Sequence, residues 1–216
     1  MTIKILLADD HRIMRDGLHA LLKNEPDIEV VAEGSNGREV LELTRTFMPH
    51  MVIMDICMPG LNGIEATRQI LSLDENIKVL ALSMHADRQF VIGALSAGAS
   101  GYLLKECAFE ELVKAIHTIN GNQTYLSQGI LDIVVDNCKN IHGAQSQSSP
   151  YLTSREREVI QLLSEGKSVK DAARVLSVST KTIETHRKHI MEKLNVHSLA
   201  ELTKYAIREG MTSIED

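Results

Sequence analysis

Two adjacent acids, Asp9 and Asp10, close the first apolar β-type run of this 216-residue chain, and Asp55, Ser83 and Lys105 close three later ones. In an open parallel sheet the carboxyl ends of the strands meet along one edge, and ligands bind in the crevice there. The five residues are therefore expected to share one pocket, although they lie far apart in sequence. Carboxylates in the first strand–helix turn repel a nucleotide phosphate, for which that turn is ordinarily glycine-rich. A hard divalent cation is the natural ligand instead, and magnesium takes one or two carboxylates, several waters and a phosphate oxygen.

Asp10 and Asp55 are the expected direct ligands, with Asp9 acting through water. Asp55 follows Met51-Val52-Ile53-Met54 and precedes Met58-Pro59-Gly60, so a buried strand opens into a loop at that carboxylate. A carboxylate placed there can attack phosphorus as a nucleophile, with magnesium screening the repulsion between the two anions. Lys105 can pair with one phosphate oxygen while the Ser83 hydroxyl donates to another. Singly, each residue has a plainer explanation, since Asp after a strand often forms a turn or caps a helix. Five such residues at four strand ends, in a compatible order, favour an aspartyl-phosphate pocket.

The elements that must position them follow from hydrophobic spacing. Strand-like runs occupy 3–8, 28–32, 51–54, 79–82 and 101–104, and helix-like spacing occupies 12–23, 37–47, 63–73, 87–98 and 107–120. Five such units predict an α/β fold, a five-stranded parallel doubly wound sheet covered by helices on both faces. After Gly121, the residues Ile130, Leu131, Ile133, Val134 and Val135 suggest a short connector helix. Residues 137–150 are polar and aperiodic, with Gly143-Ala144-Gln145-Ser146-Gln147-Ser148-Ser149, and read as a flexible linker.

Beyond Thr153 four helix starts are visible. Thr153 with Glu156, and Ser198 with Glu201, have capping-box spacing; Ser168 with Asp171 is a weaker version, and Ser179 is an N-cap without an acidic partner. Gly166 and Gly210 follow apolar runs as stops. The expected layout is an α/β domain over 1–124, a connector over 125–149 and an all-α four-helix domain over 150–216.

Composition supports this frame. The chain is 44% hydrophobic and 24% charged, as in soluble globular proteins, and no apolar run approaches the ~18–20 residues of a membrane span. Met1-Thr2-Ile3-Lys4 leads into no secretory pattern, so the cytoplasm is expected. Cys57, Cys107 and Cys138 form no CxxC pair and are odd in number, which argues against a disulfide framework or a zinc site. Residues 1–124 carry 17 acids and 11 bases, whereas 153–208 carry 7 acids and 11 bases. A nucleic-acid partner belongs with the basic part.

Within that part, helical patterns at 169–176 and 180–194 are separated by Ser177-Val178-Ser179, a helix-turn-helix spacing. Ile183, Ile190 and Leu194 would bury one face of the second helix, leaving Lys181, Glu184, Thr185, Lys188 and Glu192 on the other. Lys181, Thr182, Arg187, Lys188 and Lys193 can contact phosphates, and Glu184, Thr185 and Lys188 can read base edges. In isolation this face would be read as solvated, with Glu184 and Lys188 as an i,i+4 pair. The preceding helix, the tight turn and the basic balance favour double-stranded DNA.

With Asp9-Asp10, Asp55 before Met58-Pro59-Gly60, Ser83, and Gly101-Tyr102-Leu103-Leu104-Lys105, residues 1–124 resemble the receiver domain of a bacterial two-component response regulator. Residues 152–210 resemble the LuxR-type helix-turn-helix through Leu152-Thr153-Ser154-Arg155-Glu156, Val178-Ser179-Thr180-Lys181-Thr182-Ile183 and the run from Thr185 to Leu194. Together they are similar to the NarL/FixJ family of transcription regulators.

The resemblance implies that Asp55 accepts phosphate from the histidine of a sensor kinase, the receiver assisting only its own phosphorylation and dephosphorylation. It implies that the Cys57 backbone carbonyl joins Asp9, Asp10 and Asp55 at magnesium. Tyr102 matches the switch aromatic, whose ring turns inward as the Ser83 hydroxyl moves toward the phosphate; Met84 stands beside its path where the family often has a small residue. Glu184, Thr185 and Lys188 would face DNA, and Leu199, Leu202 and Ala206 of the last helix would mediate dimerisation, a core role for these three being an equal alternative. A homodimer when phosphorylated and RNA polymerase are the further partners implied. Val169 departs from the family, which commonly has an asparagine there. A stand-alone phosphohydrolase would need a general acid near the nucleophile, and no matching second carboxylate closely follows Asp55.

Overall fold

The computed structural model describes residues 2–141 and 152–213. The chain forms two compact units, Met1–His142 and Gly143–Asp216. In the first, strands β1 (Ile3–Ala8), β2 (Ile28–Gly34), β3 (Met51–Asp55), β4 (Lys78–Ser83), β5 (Gly101–Leu104) and β6 (Tyr125–Leu126) make one parallel sheet in the order β2-β1-β3-β4-β5-β6. Helices α1 (Arg12–Leu22), α2 (Gly37–Phe47), α3 (Gly63–Leu73), α4 (Arg88–Ser96), α5 (Phe109–Asn120) and α6 (Gln128–Ile141) connect or follow the strands.

The alternation of side chains along a strand separates two cores. Ile5, Leu7 and Ile53 meet Leu22 of α1 and Leu112, Ile116 and Ile119 of α5 on one face. Leu6, Ala8, Val52 and Met54 meet Val40 of α2 and Ile70 of α3 on the other. Because β3 is central it is buried along its full length, so it reads as a continuous apolar run. Asn36 and Asn62 cap α2 and α3 by accepting the backbone N–H of Glu39 and Glu65, at 3.1 and 2.8 Å.

Two features differ from the sequence reading. The sheet has six strands, the sixth being the two-residue β6, which joins β5 through the Gly101–Tyr125 and Tyr102–Leu126 register. The connector helix is longer than its apolar core, since α6 continues through 137–141, where a linker was expected. Its Ile130 packs into the core shared with Phe90, Val91 and Ala94 of α4. Residues 142–150, the remainder of the expected linker, lie outside the described residues.

The second unit contains α7 (Ser154–Ser164), α8 (Val169–Val175), α9 (Thr180–Leu194) and α10 (Leu199–Arg208). All four begin at the expected caps, Thr153, Ser168, Ser179 and Ser198. Thr153 and Glu156 form the reciprocal box, whereas Glu201 reaches past Ser198 to the His197 N–H at 2.7 Å. Gly166 and Gly210 have the positive φ of helix stops. Ile183 and Ile190 of α9, Ala172 and Ala173 of α8, and Leu202 and Ala206 of α10 enclose a common core with Val159, Ile160 and Leu163. Val169 packs against the same core, and Ser168 still caps α8.

Candidate functional site

The sheet brings Asp9 at the end of β1, Asp55 at the end of β3 and Lys105 just beyond β5 into contact. Lys105 Nζ lies 2.7 Å from Asp9 Oδ2 and 2.9 Å from Asp55 Oδ2, and all three side chains are buried to within a few per cent. Parallel register sets this geometry, since Ala8 aligns with Met54 and Asp55 with Leu82. Asp10 and His11 complete a group whose potential ligand atoms, with those of Asp9 and Asp55, lie within 4.8 Å of one another. His11 Nδ1 is 2.8 Å from Asp10 Oδ1, and the His11 N–H donates to Asp9 Oδ1 at 2.8 Å.

Burial pushes the Asp55 carboxyl above the usual carboxylate range, and neighbouring Asp9 adds to the rise while Lys105 opposes it. For Lys105 burial acts downward, but the Asp55 and Asp9 carboxylates outweigh it and hold the ammonium above its ordinary value. Two carboxylates on one ammonium, with Asp10 beside them, leave an excess of negative charge at this edge of the sheet. The donors are hard oxygens with one exposed imidazole at the rim, a set that fits a divalent cation such as magnesium. Asp9, Asp10 and Asp55 are the carboxylates that could hold it. The Cys57 N–H meanwhile points at Asp55 Oδ1, at 3.3 Å.

Ser83, fully buried at the end of β4, accepts the His85 N–H at 3.1 Å. Tyr102 is also fully buried, and its hydroxyl donates to the His85 carbonyl at 2.8 Å. Burial raises the Tyr102 hydroxyl well above the usual tyrosine range. The ring is thus buried and inward while the Ser83 hydroxyl is engaged by the His85 N–H, and His85 bonds both side chains. Strand β6 flanks β5, which carries Tyr102. Met84, between Ser83 and His85, is 60% exposed.

Sequence reasoning missed Gly63. At the start of α3, a Cβ there would lie 1.9 Å from the Asp55 carbonyl oxygen, so the backbone at Asp55 requires a residue without one. The Asn62-Gly63 pair after the β3 loop was the available signal.

In the second unit, Lys181, Glu184, Thr185 and Lys188 are exposed along α9, and Thr182 and Arg187 are half-buried beside them. Lys188 approaches Glu192 at 3.9 Å, four residues on. The Lys193 ammonium lies 2.9 and 2.8 Å from the two oxygens of Glu156, tying the end of α9 to the start of α7. Burial acts upward on the Glu156 carboxyl, but the hydrogen bonds from Lys193 and Thr153 hold it below the ordinary carboxylate range. At the other end of the helix-turn-helix, Arg155 donates to the Leu176 carbonyl at 2.6 Å and pairs with Glu158 at 3.0 Å. The dimerisation set is also divided. Leu202 and Ala206 are fully buried against α7, leaving Leu199 as its exposed member.

Residues 5–117 match the description of the response regulator receiver domain, and 150–206 that of bacterial regulatory proteins of the luxR family. The chain is 36% identical to the transcriptional regulatory protein MctR of Rhizobium johnstonii over 211 residues, covering 98% of this chain and 96% of MctR. It is 34% identical to the response regulator UvrY of Escherichia coli over 215 residues, with 99% and 97% covered. A crystal structure of a LuxR-family two-component response regulator from Aurantimonas sp. SI85-9A1 superposes with a TM-score of 0.61 at 37% identity, covering 64% of this chain and 99% of that one.

Proposed function

The chain belongs to the NarL/FixJ family of two-component transcriptional response regulators, and from that premise we propose that phosphorylation of Asp55 by a sensor histidine kinase controls its dimerisation and its sequence-specific binding of DNA. The observation that carries this reading is the Asp9–Lys105–Asp55 contact, which puts two buried carboxylates beside one cation at the carboxyl-terminal edge of the sheet. As a member of this family the protein is a transcription regulator rather than a classical enzyme, and its chemistry is confined to its own aspartate.

In the proposed transfer, an Asp55 carboxylate oxygen bonds to phosphorus as the bond from phosphorus to the kinase imidazole breaks. Lys105 is close enough to follow the charge onto the phosphoryl oxygens, and exclusion of water from the buried pocket strengthens that pairing. Bound magnesium would lower the repulsion between the anionic partners and stabilise the charge on the transferring group. The Ser83 hydroxyl can donate to a phosphoryl oxygen, which would change the 83–85 segment that also holds Tyr102. Hydrolysis of the acyl phosphate, assisted by the same pocket, would reset the protein.

Lys181, Thr182, Arg187 and Lys188 are proposed to contact phosphates, with Glu184, Thr185 and Lys188 facing base edges in the major groove. Lys193, paired with Glu156 and still 41% exposed, is proposed both to hold α9 in place and to reach a phosphate. A dimer would read half-sites about 10 base pairs apart, or a multiple of that, with Leu199 available to its interface. Action on RNA polymerase in the cytoplasm, where DNA is bound, completes the reading. The test is incubation with a small-molecule phosphodonor and magnesium followed by mass mapping. A phosphoryl group on Asp55, absent without magnesium and absent from Asp55→Asn, is expected, and labelling elsewhere or none would refute the assignment.

A further inference from the structure

Arg15 lies outside the acid cluster but grips the peptide that carries it. Its side chain, on α1, is only 15% exposed, and Nη1 donates to the Asp9 carbonyl oxygen at 2.5 Å. That carbonyl belongs to the planar peptide joining Asp9 to Asp10. The orientation of this one plane sets ψ of Asp9 and φ of Asp10, and so the directions in which both carboxylates leave the backbone. The remaining atoms of Asp9 are held as well, its N–H by the Gly34 carbonyl at 3.1 Å and Oδ1 by the His11 N–H.

The guanidinium is itself aimed. Its Nε lies 3.8 Å from Glu33 Oε2 at the end of β2, and Glu33 Oε1 is 2.5 Å from His19 Nδ1, one turn further along α1. Glu39 at the start of α2 feels the same positive charge. A cation on α1 without these acids would be drawn into the negative pocket, where Lys105 already sits and where it would oppose a metal ion. Glu33 instead keeps Arg15 behind the turn, so that its contact with the site is a hydrogen bond to the Asp9 carbonyl.

We propose that Arg15 is a positioning residue for divalent-cation binding and that Glu33 is its aiming partner. The inference rests on reading Asp9, Asp10 and Asp55 as the metal site. Groups that orient metal ligands from outside typically account for about 10–100-fold in metal affinity, and a loss in that range is expected for Arg15→Met.

The test is manganese binding to the full chain, read from the paramagnetic resonance signal of the free ion, with circular dichroism on each variant to confirm its fold. Arg15→Met is expected to bind manganese at least about tenfold more weakly than wild type, and Glu33→Gln to show a smaller loss with Arg15 intact. Wild-type affinity in a folded Arg15→Met would overturn the inference. If Arg15→Met fails to fold, Glu33→Gln decides, a loss supporting the inference and wild-type affinity overturning it. Absence of manganese binding by the wild type would instead refute the metal site, a failure distinct from that of Arg15.

Discussion

Replacing Glu156 with alanine should loosen the recognition helix from a distance, through the capping box of another helix. The Glu156 carboxylate accepts the Thr153 N–H at 2.8 Å and lies against Lys193 Nζ with both oxygens. Loss of a capping interaction costs about 0.5–2 kcal/mol, and the low half of that range applies because Thr153 is exposed and water can replace the lost acceptor. Lys193 is 41% exposed, so its ion pair adds no more than about 1 kcal/mol. Together these give about 0.5–2 kcal/mol, or roughly 2–30-fold in the local opening equilibrium. Native-state hydrogen exchange on the full chain, resolved to individual helices, measures that ratio. The last turns of α9 should exchange faster together with the first turn of α7. Faster exchange in α7 with α9 unchanged would refute the tether. The carboxyl is depressed in the folded state, so its contribution is complete above the ordinary carboxylate value and is lost as pH falls through the folded one. The difference between wild type and Glu156→Gln should accordingly be constant near neutrality and close in acid.

Three further outcomes follow from the packing. Gly63→Ala must displace the Asp55 backbone, because its Cβ would lie 1.9 Å from that carbonyl oxygen; phosphodonor labelling should slow on the order of 100-fold, and a wild-type rate would contradict the close approach. Lys188→Ala should weaken binding to all DNA sequences and lower the slope of log affinity against log salt by about one, whereas an unchanged slope would remove Lys188 from the phosphate contacts. Leu202→Ala should cost about 2–5 kcal/mol in denaturant unfolding, against less than about 0.5 kcal/mol for exposed Leu199→Ala, and the reverse order would return Leu202 to an interface.

The acid–lysine contact was legible because β-strands of a parallel sheet finish together, so Asp9, Asp55 and Lys105 at the ends of β1, β3 and β5 converge whatever their separation. The helix starts were equally legible, because a cap acts within four residues of itself. Contacts made by long side chains across the fold were not. Nothing near Lys193 in sequence announces Glu156, and nothing in the spacing of Arg15 shows that it returns to the Asp9 carbonyl. Leu202 and Ala206 form an apolar face by periodicity, but periodicity does not say whether that face meets α7 or another chain. Strand β6 escaped because two residues carry no period, and the end of α6 because its last turns are polar and the helix persists through them.

The central claim is that a phosphoryl group at Asp55 gates DNA recognition. Its most direct test is the affinity of wild type and Asp55→Asn for duplexes selected from random sequence, at one fixed salt concentration, with and without phosphodonor and magnesium. A gain in affinity on phosphodonor treatment, confined to the wild type, is the expected result. Equal binding by both proteins under every condition would contradict the account and leave a constitutive DNA-binding protein.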